Sequence, residues 1–388
     1  MIKLETKAFK KYLKILEKGV INKKSSETLP DLRNILIIIE NNEVKLRTNN
    51  LKMIIEITLK EDEFILENIE EKIIEIAINV DFIKNFVKNF QEKFIEINDN
   101  TIDNTIDFLI NENCISKFKK EYVDTDKITY PKYELKNTVK INANRFKEML
   151  ERTIKFVSKD EGKPVLTGQL LEIEKNKLNI VAIDGFRVAN QIEKIDNIFD
   201  NNIKCIITQE TSNLLSKIIN KKLKLENIQI DIINKEQTNF KYDNIIILAK
   251  NIDGEYIQYE QIFHNDYEKN IIVNKDELLN SIKMISSLIE NKRKFPVILE
   301  IKNDNLLLFV KNNNKKDKEY IYKNNINIIE NNSLDNFIIG FNAQYLLEIL
   351  ENIEEKQIKL IFTSSLSPTI IEEQKYRYLC LPVKINND

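Results

Sequence analysis

The sequence predicts an α+β fold made of three copies of one unit, each with two helices packed on antiparallel sheet. Three observations predict it. Amphipathic helical segments recur in pairs at intervals of about 130 residues along the 388-residue chain. A strand–polar turn–strand signature follows the first helix of each pair. Most of the remaining sequence is short and β-branched, as in KFIEI, IKCII, NIIILA and IKLIFT.

The first helix of each pair spans 5–16, 142–157 and 274–289, anchored by Phe9, Phe146 and Leu278 and capped by Thr6, Asn142 and Asn274. The second begins at Asn79, Thr208 and Asn342. Between them lie three expected hairpins, NILIIIENNEVKLRT (34–48), GQLLEIEKNKLNIVA (168–182) and PVILEIKNDNLLLFV (296–310). Their turns are rich in Asn, Asp and Lys. The joints fall at 129–135, where Pro131 interrupts the pattern, and at 253–264. The three repeats are therefore 1–127, 128–256 and 257–388.

Composition excludes several classes. With 42% hydrophobic and 31% charged residues the chain is globular, not a disordered tail. A net charge of −2 gives no global basic field, so nucleic acid would have to meet local basic faces. The N-terminus carries charge from its third residue and lacks the apolar core of a signal peptide. The apolar run 35–39 is far short of the roughly 20 residues that cross a bilayer. A soluble, cytoplasmic protein without membrane contact is expected.

Cys114, Cys205 and Cys380 are isolated in apolar contexts and read as buried thiols. The one histidine, His264, has no nucleophile beside it. Gly162–Lys163 lacks the upstream glycine of a phosphate loop. No cofactor, metal site or catalytic group is expected, which leaves a hydrolase or transferase on an α+β repeat as the weaker alternative.

The stretches 29–50 and 156–190, with IGFNAQYLLEILENI, IKLIFTSSLSPTIIE and YRYLCLPVKI near the C-terminus, together carry a resemblance to the β sliding clamp family, the β subunit of bacterial DNA polymerase III. FVSKDEGKPVLTGQLLEIEKNKLNIVAIDGFRVAN (156–190) is similar to the family's middle domain, and LPDLRNILIIIENNEVKLRTNN (29–50) to its first. IGFNAQYLLEILENI, IKLIFTSSLSPTIIE and YRYLCLPVKI resemble its closing segment. The resemblance implies a head-to-tail homodimer, a six-domain ring around double-stranded DNA that is gripped without regard to sequence. Replicative polymerase, clamp loader and repair proteins would dock through linear motifs in a pocket. A clamp-like scaffold without ring closure is a further alternative.

Carried over by position, that pocket takes Leu166, Ile183, Gly185, Phe186, Arg187 and Val188 from the middle repeat. The joint supplies Ile257, Gln261 and Ile262, and the last repeat Leu366, Pro368, Leu379, Leu381, Pro382 and Val383. Arg187 is expected to hydrogen-bond peptide carbonyls or a carboxylate. Ile257 and Gln261 stand where the family commonly has Pro and Arg. The DNA-facing set implied is Lys10, Lys14, Lys23, Lys24, Lys84, Lys88, Arg145, Arg152, Lys159, Lys163, Lys217 and Lys221. The last helix departs from it with Glu348, Glu351, Glu354 and Glu355. The dimer contact implied joins Leu288 and Ile289 to a strand near Ile115 and Phe118, with a basic segment, 311–320, beside it.

Overall fold

Asparagine side chains open four of the helices. In the computed structural model α1 spans Thr6–Leu16, α2 Val80–Lys88, α3 Ala143–Thr153 and α4 Gln209–Ile218. A short α5 covers Glu260–Phe263, α6 Lys275–Leu288 and α7 Ala343–Leu350. The structure describes residues 1–67, 73–100, 102–103, 105–110, 113–119, 128, 138–219, 227–233, 235–263, 269–288, 296–302, 304–311, 320–332, 334–373 and 375–385. Asn79, Asn142, Asn274 and Asn342 each accept a first-turn backbone N–H, the groups a helix cannot satisfy itself. At α1 the cap is Glu5 and not Thr6: its carboxylate accepts from Ala8 N, while the Thr6 hydroxyl donates to Glu92 O at 2.7 Å.

The first and third hairpins form where expected. Asn34–Glu40 pairs with Glu43–Asn49 through Asn41 and Asn42, at φ 51° and 64°. Two consecutive left-handed residues make the turn whose twist matches the strands, and Asn tolerates it. Val297–Lys302 pairs likewise with Asn305–Lys311. The second expected hairpin is not one. Gln169–Ile183 is a single strand whose two ends pair with the two ends of Arg187–Ile207, and the polar residues 174–177 form an irregularity in the ladder with Lys175 at φ 53°. The true turn follows Ile183, where Gly185 takes φ 92°.

The chain divides into two compact units, Met1–Lys147 with Glu210–Asn251, and Glu148–Gln209 with Ile252–Asp388. The first holds a five-stranded and an eight-stranded sheet. The larger one crosses from the first repeat to the second, because Met53–Thr58 pairs antiparallel with Ile245–Lys250. A polar knot closes the same seam. Tyr12 Oη donates to Glu63 at 2.8 Å, and Asn244 Nδ2 donates to Tyr12 Oη at 2.9 Å and to Thr58 O at 2.7 Å.

The second unit is built on a ten-stranded sheet. It too ignores the repeat boundary, since Arg187–Ile207 pairs with Tyr376–Cys380. One apolar core lies under α6 and α7, centred on Leu278, Ile282, Leu346 and Phe362; a second gathers Leu166, Val188, Tyr259 and Leu379. Continuous sheets explain why compactness and repetition divide the chain differently. Replacing Asn42 by Val puts a β-branched residue at φ 64° and is expected to cost about 1–2 kcal/mol, whereas Asn42→Gly should leave stability unchanged or raised. Urea denaturation of the two variants beside the parent checks this.

Candidate peptide-binding site

The second apolar core of the latter unit is the floor of the candidate site. Leu166, Ile183, Val188 and Leu379 are all buried in it, and Ile262 and Leu381 pack against it half-buried. Around that floor four large apolar side chains stay in solvent: Phe186 is 55% exposed, Ile257 45%, Leu366 75% and Val383 37%. Each stands in a short segment leading off the floor: the turn after Ile183, the joint, the turn before Thr369, and the C-terminal tail. Single exposed apolar residues mean little, but several around one apolar floor make this surface the candidate site.

Hydrogen bonds hold these segments in place. In the turn, Asp184 accepts from Phe186 N and Arg187 N, both at 2.8 Å. The tail is tied by Leu381 N donating to Phe186 O at 2.9 Å and Val383 N donating to Gly340 O at 2.8 Å. The joint is pinned from beneath. Tyr259 Oη donates to the buried Glu172 carboxylate, which also meets Lys204 at 2.7 Å and Asn202 at 3.0 Å. Burial alone would raise the Glu172 carboxyl, but these donors outweigh it and hold the group below its ordinary value. Gln261 is exposed on α5, its amide donating to Gln258 Oε1 at 3.0 Å.

Arg187 meets carboxylates, and they are the protein's own. It is 5% exposed, bonded to Asp184 at 2.8 Å and to Glu348 of α7 at 2.5 Å. Its guanidinium lies 4.9 Å from the Phe156 ring centre and 4.5 Å from that of Tyr345, and Phe186 stacks on the same Tyr345 at 5.6 Å. The Arg187 Nε, Nη1 and Nη2 atoms each donate to one of these two carboxylates. Tyr345 and Glu348 were not among the sequence candidates. Their spacing of one helical turn was the available signal, and Glu348 had instead counted only as an acid on a basic face.

The basic set divides. Lys14, Lys23, Lys24, Lys84, Lys88, Arg145, Lys159, Lys163 and Lys217 are exposed. Lys84 pairs with Glu17 at 2.6 Å, and Lys10 is half-buried with its amine donating to Phe90 O at 2.8 Å. Arg152 corrects the expectation outright. It is 6% exposed, held by Glu148 and Glu354 at 2.9 Å and Glu373 at 3.2 Å, and it covers the Tyr376 ring. Of the dimer residues, Ile115 is exposed on the edge strand Asn113–Lys119, which also carries Phe118, and Leu288 ends α6. Lys221, Ile289, His264, the joint 129–135 and 312–319 of the basic segment lie outside the described residues.

Cys205 and Cys380 are buried thiols, and burial pushes Cys380 up to about 12. Among the described residues no group of three or more His, Cys, Asp or Glu is placed to hold a metal ion. No helix there is long and apolar enough to cross a membrane.

Repeats joined by sheets that run across their boundaries define a multi-repeat α+β architecture of the clamp type. Comparison with known proteins gives the family. Models of the DNA polymerase III beta subunit match twice, its central domain over residues 140–258 and its C-terminal domain over 260–383. The beta sliding clamp of Bacillus subtilis is 27% identical over 275 residues, 69% of this chain and 70% of that protein. A crystal structure from Eubacterium rectale described as a DNA polymerase III beta subunit aligns over 100% of both chains, with TM-score 0.83 and 26% identity. The DNA polymerase sliding clamp of Bacillus subtilis aligns over 99% of both, with TM-score 0.82 and 22% identity. The chain belongs to the DNA polymerase III beta subunit family, the β sliding clamps.

The Arg187–Glu348 pair makes its own prediction. Burial works against the Glu348 charge, but hydrogen bonds from Gln344 and Arg187 prevail and hold its carboxyl below the ordinary value. A depressed folded-state pKa stabilises the protein above the unfolded value, and that contribution is lost as pH falls through the folded one. Glu348→Gln should therefore melt below the parent at pH 7, and the gap should close below the ordinary glutamate pKa of about 4.3. Arg187→Ala, which strands two carboxylates, should cost about 3 kcal/mol at pH 7. Thermal melts across pH read both.

Proposed function

We propose that the chain works as a DNA sliding clamp: two copies close into a ring around duplex DNA and tether replication and repair enzymes through the groove described above. The observation that carries the tethering is the apolar floor with its exposed rim of Phe186, Ile257, Leu366 and Val383. The partners are replicative polymerase, clamp loader and repair proteins, each presenting a short motif that ends in bulky apolar side chains. The protein catalyses nothing itself. Its three repeats of about 130 residues are clamp domains, and six of them complete the ring. Exposed lysines along the helices face phosphates without reading bases.

Ring closure packs Leu288, the last residue of α6, and Ile289 after it in sequence against the edge strand Asn113–Lys119 of a second copy. A closed two-fold ring covers sheet edges that would otherwise invite uncontrolled pairing. The protein should have the mass of a dimer at micromolar concentration, and Leu288→Lys with Ile289→Lys should shift it toward monomer. Loaded on a closed DNA circle, the parent should persist in salt that strips it from linear duplex, since phosphate contacts screen away and a topological link does not. The monomeric variant should be lost from both. Loss of the parent from closed circles would end the clamp reading.

For the groove, a peptide ending in Leu-Phe should bind with about micromolar affinity. Deleting residues 381–388 should abolish that binding and leave the dimer mass unchanged. Phe186→Ala should weaken it by about 1–2 kcal/mol. Calorimetry is the measurement, and equal affinity across all three proteins would place the peptide elsewhere.

A further inference from the structure

The groove's C-terminal wall is held at two points. Leu381 N donates to Phe186 O at 2.9 Å, and Val383 N donates to Gly340 O at 2.8 Å. Pro382 between them has no N–H to give. The second anchor lies on Phe337–Phe341, the outermost strand of its sheet, paired on its other side with Val297–Lys302. The tail therefore covers an open strand edge while bringing Val383 to the rim. The contact is close. A Cβ at residue 340 would stand 2.9 Å from Ile385 Cγ1 and 3.1 Å from Val383 O. Gly340 does not take a left-handed backbone, so conformational freedom does not explain it. In a strand interior glycine is otherwise the weaker choice.

We infer that Gly340 is a positioning residue for partner peptides: its missing side chain lets the C-terminal tail lie flat on the strand edge and hold one wall of the groove. This rests on the peptide-groove reading. Glycine here trades strand propensity for the approach of the tail. The same strand leads into α7, whose Tyr345 and Glu348 hold Phe186 and Arg187. Turn, tail and strand thus form a closed frame in which Gly340 is the point of nearest approach.

The test uses the full-length protein and the Leu-Phe peptide in calorimetry. Gly340→Ala is expected to weaken binding about threefold and Gly340→Val about tenfold or more, with dimer mass unchanged. Both should speed trypsin cleavage after Lys384, read by mass spectrometry. Ile385→Ala added to Gly340→Ala should restore most of the affinity, because it removes the side-chain atoms the new methyl meets and leaves only Val383 O near it, while Ile385→Ala alone stays near the parent. A merely structural loss would not be rescued in this way. If the parent binds and the Gly340 variants bind equally, or if the second substitution restores nothing, the inference is overturned and the groove stands. If the parent itself does not bind, the groove reading fails first.

Discussion

The arrangement of the segments around the second apolar core depends on one buried cation. Arg187 begins a strand that pairs with Tyr376–Cys380, and its guanidinium ties the preceding turn, through Asp184, to α7, through Glu348. Burial works against its charge, yet the two carboxylates more than compensate and raise its affinity for the proton further. A charge so placed needs both partners, because either alone leaves an imperfectly matched group in a low-dielectric site. The aromatic faces of Phe156 and Tyr345 close the remaining sides. With Arg187 fixed, Phe186 is set against Tyr345 and its backbone carbonyl is aimed at Leu381 N.

The same economy appears at larger scale. Each compact unit mixes strands from two repeats, so the larger sheet in each runs on across a repeat boundary where it would otherwise end in a free edge. At one seam Ile245–Lys250 continues the sheet from Met53–Thr58, and the Tyr12–Asn244–Glu63 knot fixes the register beside it. At the other the C-terminal strand Tyr376–Cys380 inserts between Arg187–Ile207 and Thr369–Glu373. That insertion brings the tail to the groove: a strand central to the sheet ends at Cys380, and residues 381–385 leave it across the site.

Where the determinants were local, the sequence was legible. Helical periodicity with asparagine caps located six helices, and the Asn41–Asn42 pair located a hairpin turn. It misled where one local pattern has two structural meanings. The polar stretch 174–177 reads as a turn, but opposite the long strand Arg187–Ile207 it becomes an irregularity in a continuing ladder. Arg152 reads as a solvated helix residue, yet Glu354 and Glu373, some two hundred residues further on, enclose it. The partner of Arg187 on α7 was hidden for the same reason, since Glu348 lies 161 residues away. The apolar floor was found only through a resemblance, because residues such as Leu166 and Leu379 are indistinguishable in sequence from ordinary core.

A net charge of −2 fits a protein that holds DNA by enclosure. Each neutralised phosphate adds affinity through released counterions and makes departure from that position slower. A strongly basic lining would therefore convert a sliding contact into a series of sticking points, and would draw the chain to nucleic acid before loading. A ring needs only enough local lysine to keep the duplex from repelling its wall. Lys84, already paired with Glu17, and Lys10, turned to the Phe90 carbonyl, show how much of the helical basic charge is taken up within the protein. Apolar burial, by contrast, is little affected by the salt that screens phosphate contacts.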